Sequence, residues 1–400
     1  MIITIASFSL IMMTSSIDIS HATTPLATIK NHPIDTIVAQ YVKKNAKTTI
    51  PQKISNMRIM HIDLDYVFDT DKRQQQRNIQ TLVNRIKNVQ PNTIYLQAFS
   101  DPDANGSADQ VYFQNRHMPV RDNLFSVVLQ AIRQQTNVQH VYAWLPLISW
   151  ELPQNYPVPY VKNSLGIRLG YIRISPFDSK NQNIVAEIFY DFIRYNAVDG
   201  VLYHDDITLS DYEDSSASAQ KVYPTWGFND LSILKNPRHP KQALFARHKT
   251  AYLDQFAAGI TKILKTERPQ LLTARNMYAP VVLNPDSEEW FSQSQGSTMR
   301  YYDYNAIMAM PYMEGSTNHK QFYLDLIKNA KRYDSNLSRT VFELQTVNWT
   351  NNTKISSQEI AETIQFLKQN GVKHIGYYPD DFYQNHPDIK SLNAVFSTNR

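Results

Sequence analysis

DGVLYHDDITLSDYED, residues Asp199–Asp214, carries six carboxylates in one short stretch, and the adjacent pair Asp205 and Asp206 follows directly on an apolar run. The run is short, is flanked by a glycine and is rich in Val, Leu and Tyr, so it reads as a buried strand rather than a helix. The chain as a whole has a formal net charge of +4. Acid gathered at the carboxyl end of a buried strand, in a mildly basic chain, points to a site placed there.

Seven other runs have the same form. RIMHIDLDYV (58–67), TIYLQAF (93–99) and HVYAWLPLI (140–148) precede the opening stretch, and LLTARNMYA (271–279), YNAIMAMPYM (304–313), RTVFELQTVNW (339–349) and HIGYYPDDF (374–382) follow it. Helical patterns lie between them, among them RQQQRNIQTLVNRIKNV, NLFSVVLQAIRQQ, NIVAEIFYDFIRYN, HKTAYLDQFAAGITKILK and SSQEIAETIQFLKQNG. The last opens with Ser356 three residues before Glu359, a capping-box spacing, and closes at Gly371. Eight strands alternating with helices predict parallel pairing and closure into a (β/α)₈ TIM barrel, an α/β single domain over residues 57–400. Glycine totals only 10, and no Gly-rich phosphate loop follows the first strand, which argues against an open nucleotide-binding sheet.

In such a barrel the active site lies at the carboxyl ends of the strands. Those ends carry Asp63 and Asp65; Gln97 with Asp101 and Asp103; Trp144 and Trp150; His204, Asp205 and Asp206; Arg275 and Asn276; Tyr312 with Glu314; Glu343 and Gln345 with Trp349; and Tyr378 with Asp380 and Asp381. Side-chain alternation places His61, Asp63 and Asp65 on one face of the first strand, and Glu343 and Gln345 on one face of the seventh. Strands buried on both sides by inert core read as continuous hydrophobic runs, so inward polar residues on several strands indicate a functional mouth.

Paired carboxylates with aromatic platforms suit cleavage of a glycosidic bond, where one acid protonates the leaving oxygen and a second carboxylate activates water or stabilises the positive centre. Asp205 and Asp206 point apart on a regular strand, so the second group is the other Asp or one of Glu343, Asp65, Glu314 and Asp381; a substrate N-acetyl oxygen could also serve. Asp211, Glu213 and Asp214 read either as a solvated turn or as a rim for a cationic substrate. The eleven histidines show no pair at metal-binding helical spacing, no G-x-S-x-G occurs, cysteine is absent, and no basic stripe interleaves with aromatics. No metal, cofactor or nucleic acid is therefore expected, and His204 reads as a barrel residue tuning a neighbouring Asp. Ile2–Met13 is an apolar run of signal-peptide length, too short for a membrane span, and Ser20-His21-Ala22 beyond it resembles a small-x-small cleavage site. Residues 1–22 thus read as a signal peptide and 23–56 as a polar spacer with one short helix, with export to the periplasm, a cell-associated place at the outer membrane, or secretion.

HIDLDYVFD, TIYLQAFSDPD, VYAWLPLISWEL, ISPFD, DGVLYHDDITLSDYEDSSA, TARNMYA, SEEWFSQS, YNAIMAMPYMEG and GYYPDDF, in this order over residues 58–397, resemble the C-terminal glycoside hydrolase domain of the PgaB family. Its members are periplasmic poly-β-1,6-N-acetyl-D-glucosamine deacetylases of biofilm-forming Gram-negative bacteria. The resemblance implies an endo-acting glycosidase on the partially deacetylated polymer, with a catalytic Asp in the HDD element, Asp205 or Asp206. It places Tyr171, Trp290 and Trp349 along the groove. The family's T-F-D-D-G deacetylase motif and lipid-anchoring cysteine have no counterpart in residues 1–57, so deacetylation is not carried over. The expected site is then Asp205, Asp206 and Glu343 for chemistry, with Asp63, Asp65, Tyr171, His204, Trp290, Tyr312, Trp349 and Asp381 binding a cationic β-1,6-glucosamine polysaccharide. Polysaccharide export machinery is a further expected partner. A non-catalytic module that guides the polymer during export, and an N-deacetylase, are the rival readings.

Overall fold

The computed structural model describes residues 26, 28–42, 53–167 and 170–396. The expected signal peptide lies outside these residues. Eight strands, β1 (Arg58–Ile62), β2 (Thr93–Gln97), β3 (His140–Leu145), β4 (Gly200–Tyr203), β5 (Leu272–Tyr278), β6 (Tyr304–Met308), β7 (Thr340–Gln345) and β8 (His374–Tyr378), close into one barrel. Every neighbouring pair is parallel and consecutive in sequence, and β8 pairs with β1. The (β/α)₈ single-domain expectation holds. All eight runs read from the sequence contain their strand, but each strand stops earlier than its run, because the carboxyl-terminal residues turn out into loops.

Capping residues set the helix starts. Ser356 Oγ accepts from Glu359 N at 3.1 Å and opens the helix Ser357–Gln369, and Gly371 behind it takes φ +87°. Asp178 accepts from the amides of Lys180 and Asn181, which starts the helix Ser179–Tyr195 four residues before its apolar pattern begins. The stretch read as a spacer supplies the helix Pro33–Tyr41, whose Ile34, Ile37 and Val38 are buried. A Cβ on Gly259, inside the helix Gln242–Glu267, would lie 2.1 Å from Ile34 Cγ1. That glycine lets the two helices touch, so this part of the spacer is packed onto the barrel. Among the described residues no helix is long and apolar enough to cross a membrane.

Candidate active site

The mouth of the barrel is organised around Asp205. Its Oδ2 accepts from Tyr171 Oη at 2.7 Å and from Tyr278 Oη at 2.6 Å, and its Oδ1 lies 2.9 Å from His204 Nε2. Burial alone would raise its pKa, but His204 and the two hydroxyls hold it down at about 2. Burial works against the imidazolium of His204, yet Asp205 raises its pKa above the ordinary histidine value. Tyr171 is set in place from behind: a Cβ on Gly106, which has φ +89°, would sit 2.1 Å from the Tyr171 ring. Tyr278 is stacked on Phe291 at 4.7 Å.

Glu343 lies in the same mouth on β7, buried, with Oε2 accepting from Asn276 Nδ2 at 2.7 Å and Oε1 without a protein partner. Burial, reinforced by the charge of Asp205 and opposed by Asn276, pushes its pKa up to about 8. The two carboxyls therefore hold opposite protonation states at neutral pH.

The other expected residues divide. Asp206 is fully buried and turned away: it accepts from the amides of Leu147, Ile148 and Ser149 at 3.1, 2.6 and 2.7 Å, and so fixes the loop after β3. Asp63 occupies the N-cap position of the helical turn Leu64–Val67 at the end of β1 without a side-chain capping bond, and its Oδ2 accepts from Tyr378 Oη at 3.3 Å. The expected alternation of Asp63 and Asp65 fails, because the strand ends at Ile62 and Asp65 already belongs to that turn. Asp65 is held by Ser100 Oγ, Tyr112 Oη and Arg121 Nη1 at 2.6, 2.6 and 2.8 Å. Asp381 pairs with Lys354 at 2.9 Å on the rim, and Tyr312 donates to Glu359 at 2.8 Å. Trp349 is half-buried with its ring 6.1 Å from Tyr378, and Trp290 is half-buried on the short helix Glu288–Phe291 that carries the stacking Phe291.

Two further expectations are corrected. Arg275 does not face the cleft. Its guanidinium binds Asp254 at 2.5 Å and the carbonyl of Ile207 at 2.8 Å, because alternation along β5 sends Asn276 and Tyr278 inward and Arg275 toward the helices. Asp211, Glu213 and Asp214 form neither a solvated turn nor a rim. All three are buried; Arg173 binds both oxygens of Glu213 at 3.0 Å, and Lys249 Nζ donates to the carbonyls of Ser210 and Glu213 at 2.5 and 3.1 Å. Half of the acid in the opening stretch thus builds the loop behind Asp205. Tyr278 was missed by the sequence reading, although it lies two residues beyond Asn276 on one face of a strand.

The family model described as hypothetical glycosyl hydrolase family 13 (GHL13) matches residues 61–378. The chain belongs to this family. The solved glycoside hydrolase domain of PgaB (BpsB) from Bordetella bronchiseptica is similar to it at TM-score 0.81 and 36% identity, covering 86% of this chain and 100% of that one. A poly-beta-1,6-N-acetyl-D-glucosamine N-deacetylase of Escherichia coli (strain K12) is 40% identical over 387 residues, 94% of this chain and 56% of that protein. The chain thus spans about half the length of the curated relatives it matches. A β-galactosidase from Rahnella sp. R3 shares the fold at TM-score 0.58 and 13% identity, covering 88% of this chain and 58% of that one.

Proposed function

We propose that this GHL13 chain is an endo-acting glycoside hydrolase of partially deacetylated poly-β-1,6-N-acetyl-D-glucosamine, with Glu343 as proton donor and Asp205 as the ionised carboxylate. The observation that carries this reading is the pair of buried carboxyls in one barrel mouth, one held charged and the other held neutral. Environments that push two carboxyl groups apart in this way assign an acid and an ionised partner. Asn276 donates to Glu343 Oε2, which leaves the proton to Oε1, the oxygen with no protein partner. As the glycosidic C–O bond breaks, that proton passes to the leaving oxygen, and the negative charge of Asp205 stabilises the positive centre that develops on the sugar. Tyr171, Tyr278 and His204 keep Asp205 charged through the step. The substrate class rests on the similarity to the PgaB domain and on the name of the E. coli relative.

The test is incubation with defined β-1,6-glucosamine oligomers of known acetylation, read by new reducing ends and product masses. Shorter oligomers with unchanged acetyl content are expected. Release of acetate without shortening would overturn the reading in favour of an N-deacetylase, the activity named for the longer E. coli relative. Among the described residues, the one group of three His, Cys, Asp or Glu side chains whose atoms fall within 4.8 Å is Asp101, Asp103 and Asp109, which brings no imidazole. Binding with neither product would favour the export-module reading. Export itself, with contact to the export machinery, is part of the proposal. It rests on the apolar run Ile2–Met13, and N-terminal sequencing of the mature protein tests it.

A further inference from the structure

A cationic sugar needs a carboxylate to receive it, and most of those at the mouth are engaged. Asp65 holds Arg121, Asp381 holds Lys354, Asp206 holds three backbone amides, and Asp205 holds two tyrosines and His204. Of Asp63, Asp65, Asp205, Asp206, Glu343 and Asp381, two carry a buried oxygen without a protein partner: Glu343 Oε1, which carries the proton for the leaving group, and Asp63 Oδ1.

Asp63 lies beside a cluster of packed aromatic rings, which it touches through Tyr378. Its partner Tyr378 has its ring 4.8 Å from His61 and 5.6 Å from Trp144, and His61 lies 4.4 Å from Trp144. Trp144 is in turn 5.1 Å from His204, so the ring cluster adjoins the Asp205 cluster. It reaches the surface through half-buried Tyr378 and Trp349. His61 Nε2 and Trp144 Nε1 are also buried without partners, which leaves a hydrogen-bond donor for a sugar oxygen. Aromatic faces attract an ammonium, most strongly where water is excluded. Burial holds the pKa of His61 down at about 3, so it adds no competing positive charge. The other titratable groups that act on Asp63 are Asp65, Tyr66 and Tyr378, none of them cationic, and the nearby cations Arg121 and Lys354 are held by Asp65 and Asp381.

We propose that Asp63 is the specificity residue for a free amine: the ammonium of a glucosamine unit seats on Asp63 Oδ1, beside the packed rings of Tyr378, His61 and Trp144. The inference takes its substrate from the glycosidase reading above. Burial, with a contribution from Asp65, pushes the pKa of Asp63 up to about 8, so the empty site holds a neutral carboxyl. An arriving ammonium converts it to a carboxylate, and the carboxyl proton leaves to solvent. The ammonium keeps its own protons, and the charge balances.

Two measurements test this. Calorimetric titration of the parent protein at pH 6, in buffers of different ionisation enthalpy, should show roughly one proton released per amine-bearing oligomer bound, in excess of that for the fully acetylated oligomer. Equal proton counts for the two ligands would overturn the proposal. In Asp63→Asn, the ratio of kcat/KM for the amine-bearing over the fully acetylated oligomer should fall by about ten- to a hundredfold, the factor expected on losing a hydrogen bond to a charged group. An unchanged ratio would also overturn it. If the parent shortens neither oligomer, the glycosidase reading fails, and the proton count still decides Asp63.

Discussion

Glu343→Gln separates the catalytic from the structural consequences of one buried proton. The amide is nearly isosteric, and its oxygen can still accept from Asn276, so the variant should fold. Above pH 8 the parent must bury a carboxylate at this position. The folded-state pKa is about 8 against an ordinary 4.5, so the folded protein binds more protons than the unfolded chain between those values. The stability from this group is fully present below pH 4.5 and is lost as pH rises through about 8. At about 1.4 kcal/mol per unit, the loss is on the order of 3–5 kcal/mol. Denaturant unfolding should therefore show Glu343→Gln more stable than the parent by several kcal/mol at pH 9, with little difference near pH 4. Activity should move the other way. The parent's kcat/KM should fall above about pH 8 as Glu343 loses its proton, and the variant should lose about 10²–10⁴ of it at pH 6–7, the usual contribution of a general acid. A substrate whose leaving group needs no protonation should recover most of that loss. The reasoning is refuted if the variant keeps parental turnover on natural oligomers, or if it is no more stable than the parent at pH 9.

Tyr278→Phe removes one hydroxyl from Asp205 and should raise that group's pKa by about 1–2 units, from the worth of a hydrogen bond to a charged acceptor; the acid limb of the pH–kcat/KM profile should move up by that amount while the alkaline limb stays. Asp206→Asn sets an NH₂ group against three backbone donors and should lower stability by about 1–3 kcal/mol, read as a fall in denaturant midpoint, whereas Asp205→Asn should abolish turnover. Trp349→Ala should raise KM more than it lowers kcat, since a lost stacking surface weakens ground and transition states alike; steady-state kinetics on one oligomer decides it.

The barrel was legible in the chain because its period is local. Eight apolar runs alternating with amphipathic helices admit few topologies, and the polar residues at the run ends marked the face of the barrel where the buried carboxyls gather. Glu343 and the HDD element were legible for the same reason, as acids on strands that are otherwise apolar. What tertiary structure decided was protonation and partnership. Asp205 and Asp206 are neighbours with the same side chain, yet one meets two tyrosines and a histidine and the other meets three amides from the loop after β3. Glu213 and Asp214 looked like surface acid until Arg173 and the serines at 175 and 216 were brought to them. Asp63 and Glu343 are neutral because the fold buries them beside other negative charge. A carboxyl group's charge is set by the solvent, dipoles and ions within a few ångströms, and residues as far apart in sequence as Asp63 and Tyr378 supply them. Alternation along the chain tells which way a side chain leaves its strand; only the closed barrel determines what it meets there.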